Sequence, residues 1–221
     1  MLTCAVGLCQ EVAPTTVEIA DEPHHSLILK NQSVQVFRLR LQPKEVTLPH
    51  RHRTFYAFLS LRPVTIGNEV RGREPVLTEL AAGELRTSRG GFTVAERNNS
   101  PEPAELIVVE AMRPDDGKGF ATPMGGFQKH NAAIGELFEA PVVRGYILAI
   151  AAEGRIEKRH EDYDRLLIAL SDLYLREEVY GQPPTELRMK AGEVRWVSRE
   201  TTHSTTNAGS LPAALLTLEF R

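Results

Sequence analysis

GELRTSRGGFTVAERNNSPEPAELIVVE, residues 83–110, returns without a gap as GEVRWVSRETTHSTTNAGSLPAALLTLE, residues 192–219. Both copies open on Gly-Glu-x-Arg, and Thr93 pairs with Thr202, Asn98 with Asn207, Pro103 with Pro212 and Glu110 with Glu219. The step from Gly83 to Gly192 is 109 residues. A solenoid repeat is only about 20–50 residues long, so this repeat unit is a domain and the chain holds two. The copies differ at one chemically loaded position, where His203 of the second faces Val94 of the first.

Composition narrows the function classes. Hydrophobic residues at 42% and charged residues at 25% are the proportions of a globular protein. A net charge of −3 and scattered arginines argue against a nucleic-acid partner, which rewards a concentrated basic surface. No apolar run reaches the roughly 20 residues of a membrane-spanning helix. The opening MLTCAVGLCQ is apolar and holds both cysteines, Cys4 and Cys9, ahead of the polar EVAPTT. It reads either as the back half of an export signal, placing the protein in a periplasmic or secreted setting, or as an ordinary N-terminal arm of a cytoplasmic protein. The cysteines are too close for a disulfide framework and match no zinc spacing.

The body of the chain alternates with a period of two. VQVFRLRLQP (34–43) is the clearest half-buried strand, and TFYAFLSL, EPVLTEL, AELIVVEAM, RGYILAIAA, DRLLIALSDLYL and LPAALLTLEF are further short apolar runs. Turn residues separate them, as at Gly67-Asn68, Gly90-Gly91 and Gly181-Gln182-Pro183-Pro184. Regularly spaced short strands predict an all-β sandwich or barrel. The Gly- and Pro-rich RPDDGKGFATPMGGFQK (113–129) reads as a linker. The expected layout is an arm (1–23), a first barrel (24–112), the linker (113–129) and a second barrel (130–221).

Chemistry gathers at two strand entrances. Extended chain places His50 and His52 of LPHRHR on one face and Arg51 and Arg53 on the other. In the second half, KRHEDYDR presents His160, Asp162 and Asp164, with Gly192, His203 and Asn207 downstream. Set in this order, the residues resemble the cupin superfamily, and the chain resembles a bicupin. The superfamily's first motif is His-x-His followed closely by Glu. Its second is a Gly, a His eleven residues on and an Asn four further. His50 and His52 match the first histidine pair, Tyr56 stands near the place of the acid, and Val94 replaces the second-motif histidine. In the other half Gly192, His203 and Asn207 match the second motif, while His160 is the sole first-motif histidine and Asp162 or Asp164 the candidate acid.

The resemblance implies two tandem jelly-roll (double-stranded β-helix) barrels that pair within one chain, as a monomer or a homodimer. It implies one divalent transition metal, Fe, Zn, Mn or Ni, in the second barrel on His160, His203 and Asp162 or Asp164. The first barrel offers His50 and His52 without a third ligand and is expected to be empty. Each histidine also has a plainer reading: His50 and His52 as polar residues of a strand entrance, and His203 as an interior hydrogen-bonding residue. Tyr56, Thr201, Thr205 and Asn207 are candidate lining for a small polar ligand. His24, His25 and His130 lack motif context and read as surface or loop residues. Asn98 and Asn207 read as turn-closing residues, Trp196 and Tyr163 as packing, and Glu161 to Asp164 as a solvated lead-in. No phosphate-cradling loop and no nucleophile elbow is present. Two functions follow: a non-catalytic bicupin that binds a small polar ligand in one barrel or serves as a structural or sensory module, or a metal-dependent isomerase or dioxygenase working from the second barrel.

Overall fold

A computed structural model describes residues 15–113, 117–124, 127–179, 181–199 and 202–221. Cys4, Cys9 and Thr201 lie outside the described residues. The chain opens with β1 (Val17–Glu18), a one-turn 3-10 helix (Ile19–Asp21), β2 (His25–Lys30), β3 (Val34–Leu41) and β4 (His50–His52). β5 (Tyr56–Ser60), β6 (Val64–Val70), β7 (Val76–Leu80), β8 (Leu85–Ser88), β9 (Phe92–Asn98) and β10 (Ala104–Ala111) complete the first half. The second half holds β11 (Lys129–Glu139), β12 (Val143–His160), β13 (Asp164–Ala169) and β14 (Leu173–Val179). β15 (Thr185–Met189), β16 (Val194–Val197), β17 (Thr202–Asn207) and β18 (Ala213–Phe220) close it. The architecture is all-β, as the alternation requires.

The first half forms two sheets, ordered β1-β4-β9-β6-β7 and β2-β3-β10-β5-β8. The second half repeats the plan in one continuous sheet, β15-β14-β17-β12-β18-β13-β16 with β11 beside β12. The sheets merge because β12 runs unbroken through the positions that β3 and β4 occupy separately. The offset of 109 extends well beyond the repeat legible in the sequence. Ala104 pairs with Leu41, and Ala213 with Ile150. His50 pairs with Val94, and Arg159 with His203. Hence Arg159 occupies the place of His50, Glu161 that of His52, and Arg165 that of Tyr56.

Alternation assigns each strand face to a different core. On β3, Phe37, Leu39 and Leu41 join Tyr56, Ile66, Leu80, Leu106 and Val108 inside the first barrel. Leu148, Ile150, Leu167, Leu175, Leu187 and Leu215 fill the second. The opposite faces of β3 and β10 carry Val34, Val36, Ile107 and Val109, which pack with Leu166, Ile168, Leu216, Leu218 and Phe220 of the other half. Two equivalent sheets are therefore back to back, with Trp196 packed against this shared layer. Arg38 crosses it to donate to the Gly192 carbonyl at 2.7 Å.

The repeated glycines have a backbone reason. Gly83 and Gly192 adopt φ of +78° and +82°, a conformation that side chains with a Cβ disfavour. In each, the glycine's own N–H donates to the neighbouring strand, Gly83 to the Ser60 carbonyl and Gly192 to the Ala169 carbonyl, both at 2.8 Å. The repeated asparagines close turns. Asn98 donates to the carbonyls of Leu41 and Glu102 and accepts from the Ser100 N–H. Asn207 donates to Ile150, Ala151 and Leu211 and accepts from Gly209. The segment expected as a linker does more than connect. Thr122 accepts from Arg144, Ala121 donates to the Tyr163 hydroxyl, and Phe127 lies against Arg159, so it packs over the mouth of the second barrel.

Candidate functional site

In the first barrel, β4 has a buried–exposed–buried pattern, so His50 and His52 point inward and Arg51 outward. Both histidines are wholly buried. On β9, which pairs with β4, Val94 and Glu96 share the inward face two residues apart and both are buried. His25 opens β2 and is buried beside them, its ring 4.7 Å from that of His50. His25, His50 and Glu96 each present a ligand atom, all within 4.8 Å of one another. Glu96 Oε2 stands 3.7 Å from both His25 Nε2 and His50 Nε2, and His50 Nε2 stands 3.2 Å from His52 Nε2.

The outer nitrogens decide which atoms face inward. His25 Nδ1 lies 2.8 Å from Glu22 Oε2, His50 Nδ1 is 2.9 Å from the Leu48 carbonyl, and His52 Nδ1 is 2.7 Å from Glu110 Oε1. These partners only accept, so each Nδ1 carries a proton and each Nε2 faces inward. His25, His50 and Glu96 thus bring three ligand atoms together, with His52 Nε2 against His50 Nε2. His25 Nε2 and Glu96 Oε2 are buried without a hydrogen-bond partner. Donors that share an ion at about 2.0–2.2 Å stand about 3–3.6 Å apart, so these separations fit a small divalent cation after slight inward movement.

Surrounding groups fix this state. Burial alone would raise the Glu22 carboxyl, but bonds from His25 and His24, then the Leu48 N–H, bring it down to about 2. Glu22 is thus a permanent anion beside His25. Burial is also the main cause that lowers His50 below the usual imidazole range and keeps it neutral. Tyr56 stacks on His52 with ring centroids 3.8 Å apart, and burial, with Glu96 second, holds its phenol well above the ordinary value.

The second barrel answers the same positions with cations. Arg159 and Arg165 flank Glu161, whose Oε1 is 2.6 Å from Arg159 Nε and 2.7 Å from Arg165 Nη1. His203 Nε2 lies 3.5 Å from the same oxygen. Burial, then Arg165 and Arg159, drives the His203 pKa down to about 3. Arg144 binds Glu219 Oε2 at 2.6 Å, with Tyr146 3.3 Å from Glu219 Oε1.

The residues expected to hold a metal here do not meet. His160 pairs in register with Thr202 and Arg159 with His203, so His160 and His203 lie on opposite faces of the sheet. His160 is exposed, bonded to the Thr202 hydroxyl and 4.0 Å from an exposed Asp162. Asp164 accepts from the Arg199 N–H. Tyr56 belongs to the first barrel, Asn207 is committed to its turn and Thr205 is buried on β17, so these three do not line one pocket. Glu161, expected to be solvated, is buried, whereas Tyr163 packs on Phe120 as expected. His130 is exposed, and His24 bonds to Glu22.

His25 and Glu96 escaped the sequence reading. Glu96 had a visible signal, since TVAE places it two residues past Val94 on the same face. His25 comes from a strand 25 residues before His50, and only its nearness to Glu22 marked it.

No family model matches the sequence, and no curated protein matches it. Solved structures do. Salicylate 1,2-dioxygenase from Pseudaminobacter salicylatoxidans superposes with a TM-score of 0.65 at 12% identity, over 89% of this chain and 76% of that one. The oxalate decarboxylase of Lactobacillus farciminis, in a formate complex, gives 0.64 at 12%, over 86% and 78%. A cupin 2 conserved barrel domain protein from Leptotrichia buccalis gives 0.57 at 13%, over 91% and 90%. The fold is the cupin fold. On this fold the chain carries a His–His–Glu cluster that could hold a metal in its first half and an arginine-centred cluster in its second.

Proposed function

We propose that this bicupin is a metal-dependent protein whose metal centre lies in the first barrel, on His25, His50 and Glu96, with His52 beside them. One observation carries the reading. His25 Nε2 and Glu96 Oε2 are both buried without a hydrogen-bond partner, 3.7 Å apart, and His50 Nε2 stands 3.7 Å from the same oxygen. Buried polar atoms left unpaired in this way are costly unless a cation joins them. Nitrogen with carboxylate suits Zn, Fe, Mn or Ni, and three protein donors on a six-coordinate ion leave three positions for a small polar molecule or water. There the ion would act as a Lewis acid on an oxygen of that molecule.

The chain's own residues support this role. Glu22, the Leu48 carbonyl and Glu110 hold the three rings in the tautomer a metal needs and fix their planes. Tyr56 stays a neutral phenol against His52, a hydrogen-bond donor rather than a competing ligand. Phe37 packs edge-on against His25 and Phe92 against Tyr56, which keeps bulk water from the ligand atoms. That the matched structures include a dioxygenase and a decarboxylase is consistent with a metal enzyme and leaves the reaction class open.

The test is metal analysis by mass spectrometry on tag-free protein grown with Fe, Zn, Mn and Ni. The expected result is about one equivalent of metal, lost in His50→Ala and Glu96→Gln and retained in His203→Ala. Metal that persists in both first-barrel variants, or vanishes in His203→Ala, would overturn the assignment.

A further inference from the structure

We propose that the second barrel binds a small carboxylate anion in the pocket above Arg159. The pocket has a volume of about 300 Å³ and is walled by Arg144, Arg159, Glu161, Tyr163, Phe127 and Glu219. That size lies at the small end of ligand cavities and suits a compact organic acid.

The cluster at its base has more donors than acceptors. Arg159 and Arg165, with side chains 12% and 4% exposed, share a single Glu161 oxygen. Each guanidinium has five N–H groups. Arg159 Nε, Arg165 Nε and the shared Glu161 Oε1 are all buried without a hydrogen-bond partner, although the ion-pair contacts are short. Among the buried side chains, three guanidiniums face the two carboxylates Glu161 and Glu219. The excess is one positive charge, since His203 stays neutral between the arginines. Asp162 at the rim and Glu139 near Arg144 are about half exposed, and solvent screens them.

A buried positive excess under a pocket excludes a metal ion and suits a monoanion. Arg159 is also presented for that purpose. Its guanidinium carbon sits 3.7 Å from the Phe127 ring centroid. A guanidinium resting on a ring face keeps its N–H edge free for a planar carboxylate. The segment that carries Phe127 also supplies Thr122 and Pro123 to the wall, so it shapes this pocket rather than merely joining the halves.

The test is an NMR titration of chelator-treated protein, so that an effect at the first-barrel ligands cannot be mistaken for binding here. The arginine Nε–H resonances are followed with acetate, benzoate, inorganic phosphate and the neutral benzamide. Expected is saturable movement of the Arg159 and Arg165 signals with a carboxylate below about 10 mM, none with benzamide, and at least about tenfold weaker binding in Arg159→Gln. Phe127→Ala, which leaves the ion cluster in place, also weakens binding and covers the case in which Arg159→Gln fails to fold. No saturation by either carboxylate, equal binding of benzamide, binding of phosphate alone, or unchanged binding in both variants would each overturn the proposal.

Discussion

At matched positions, the first barrel sets His50, His52, Val94 and Tyr56 where the second sets Arg159, Glu161, His203 and Arg165. The strands, turns and closing asparagines around these residues are the same. What differs is the source of positive charge. The first barrel gathers imidazole nitrogens and the Glu96 carboxylate in a cluster that could hold a cation from outside. The second carries its cations covalently, as guanidiniums pinned to Glu161 and Glu219. His203 shows the consequence, since a residue matching the cupin motif is surrounded by charge that opposes a metal as well as its own protonation. A motif histidine is therefore a ligand only if its neighbours leave it electrostatic room.

Substitutions can break this comparison, and the largest effect falls in the second barrel. Arg165→Met leaves Glu161 buried with half its compensation and should cost about 3–5 kcal/mol in urea unfolding, whether or not metal is present. A loss under about 1 kcal/mol would mean that solvent, not the arginine, stabilises Glu161.

Glu22→Gln sharpens the first-barrel side. It removes the anion that orients His25 and should weaken metal binding about 10–100-fold while leaving the second barrel intact. Competition with a chelator of known affinity measures it, and unchanged affinity would remove His25 from the ligand set.

The pH dependence of stability separates the barrels further. His203 has a folded pKa of about 3 against 6.5 for a free imidazole, so between those values the unfolded chain binds the extra proton. The stability it supports is complete above pH 6.5 and declines as pH falls toward 3. From pH 6.5 to 5 the loss is roughly 2 kcal/mol. Chelator-treated His203→Asn should lose less over that window than chelator-treated wild type, and equal slopes would contradict the burial of a neutral imidazole.

The smallest expected effect is a symmetric one. Asn98→Ala and Asn207→Ala each remove equivalent turn bonds and should each cost about 1–2 kcal/mol, within error of each other. A large inequality would show that one asparagine does more than close its turn.

Much of the fold was readable from the chain. The period of two, the turn residues and the copy of residues 83–110 at 192–219 determine strands, because alternation and turn chemistry are local properties. The repeat extends further than identity reveals, since β3 and β12 match in register while sharing few residue types. The candidate site was only partly legible. His50 and His52 declared themselves by spacing, whereas His25 arrives from another strand and Glu96 stands two residues from the place where a histidine was sought.

By itself, then, the sequence determined two β-barrels, the inward pair His50 and His52, and the turn-closing roles of Asn98 and Asn207. Only the tertiary structure brought His25, His50 and Glu96 together in the first barrel and the arginines around His203 in the second. Coordination depends on which lone pairs converge and on which charges stand beside them, and both are set by strands distant in sequence. His25 and Glu96 meet His50 across β2, β4 and β9, while Arg159 and Arg165 close around His203. The difference between Val94 and His203, which pointed to the second barrel, is outweighed by the charges that folding places around it.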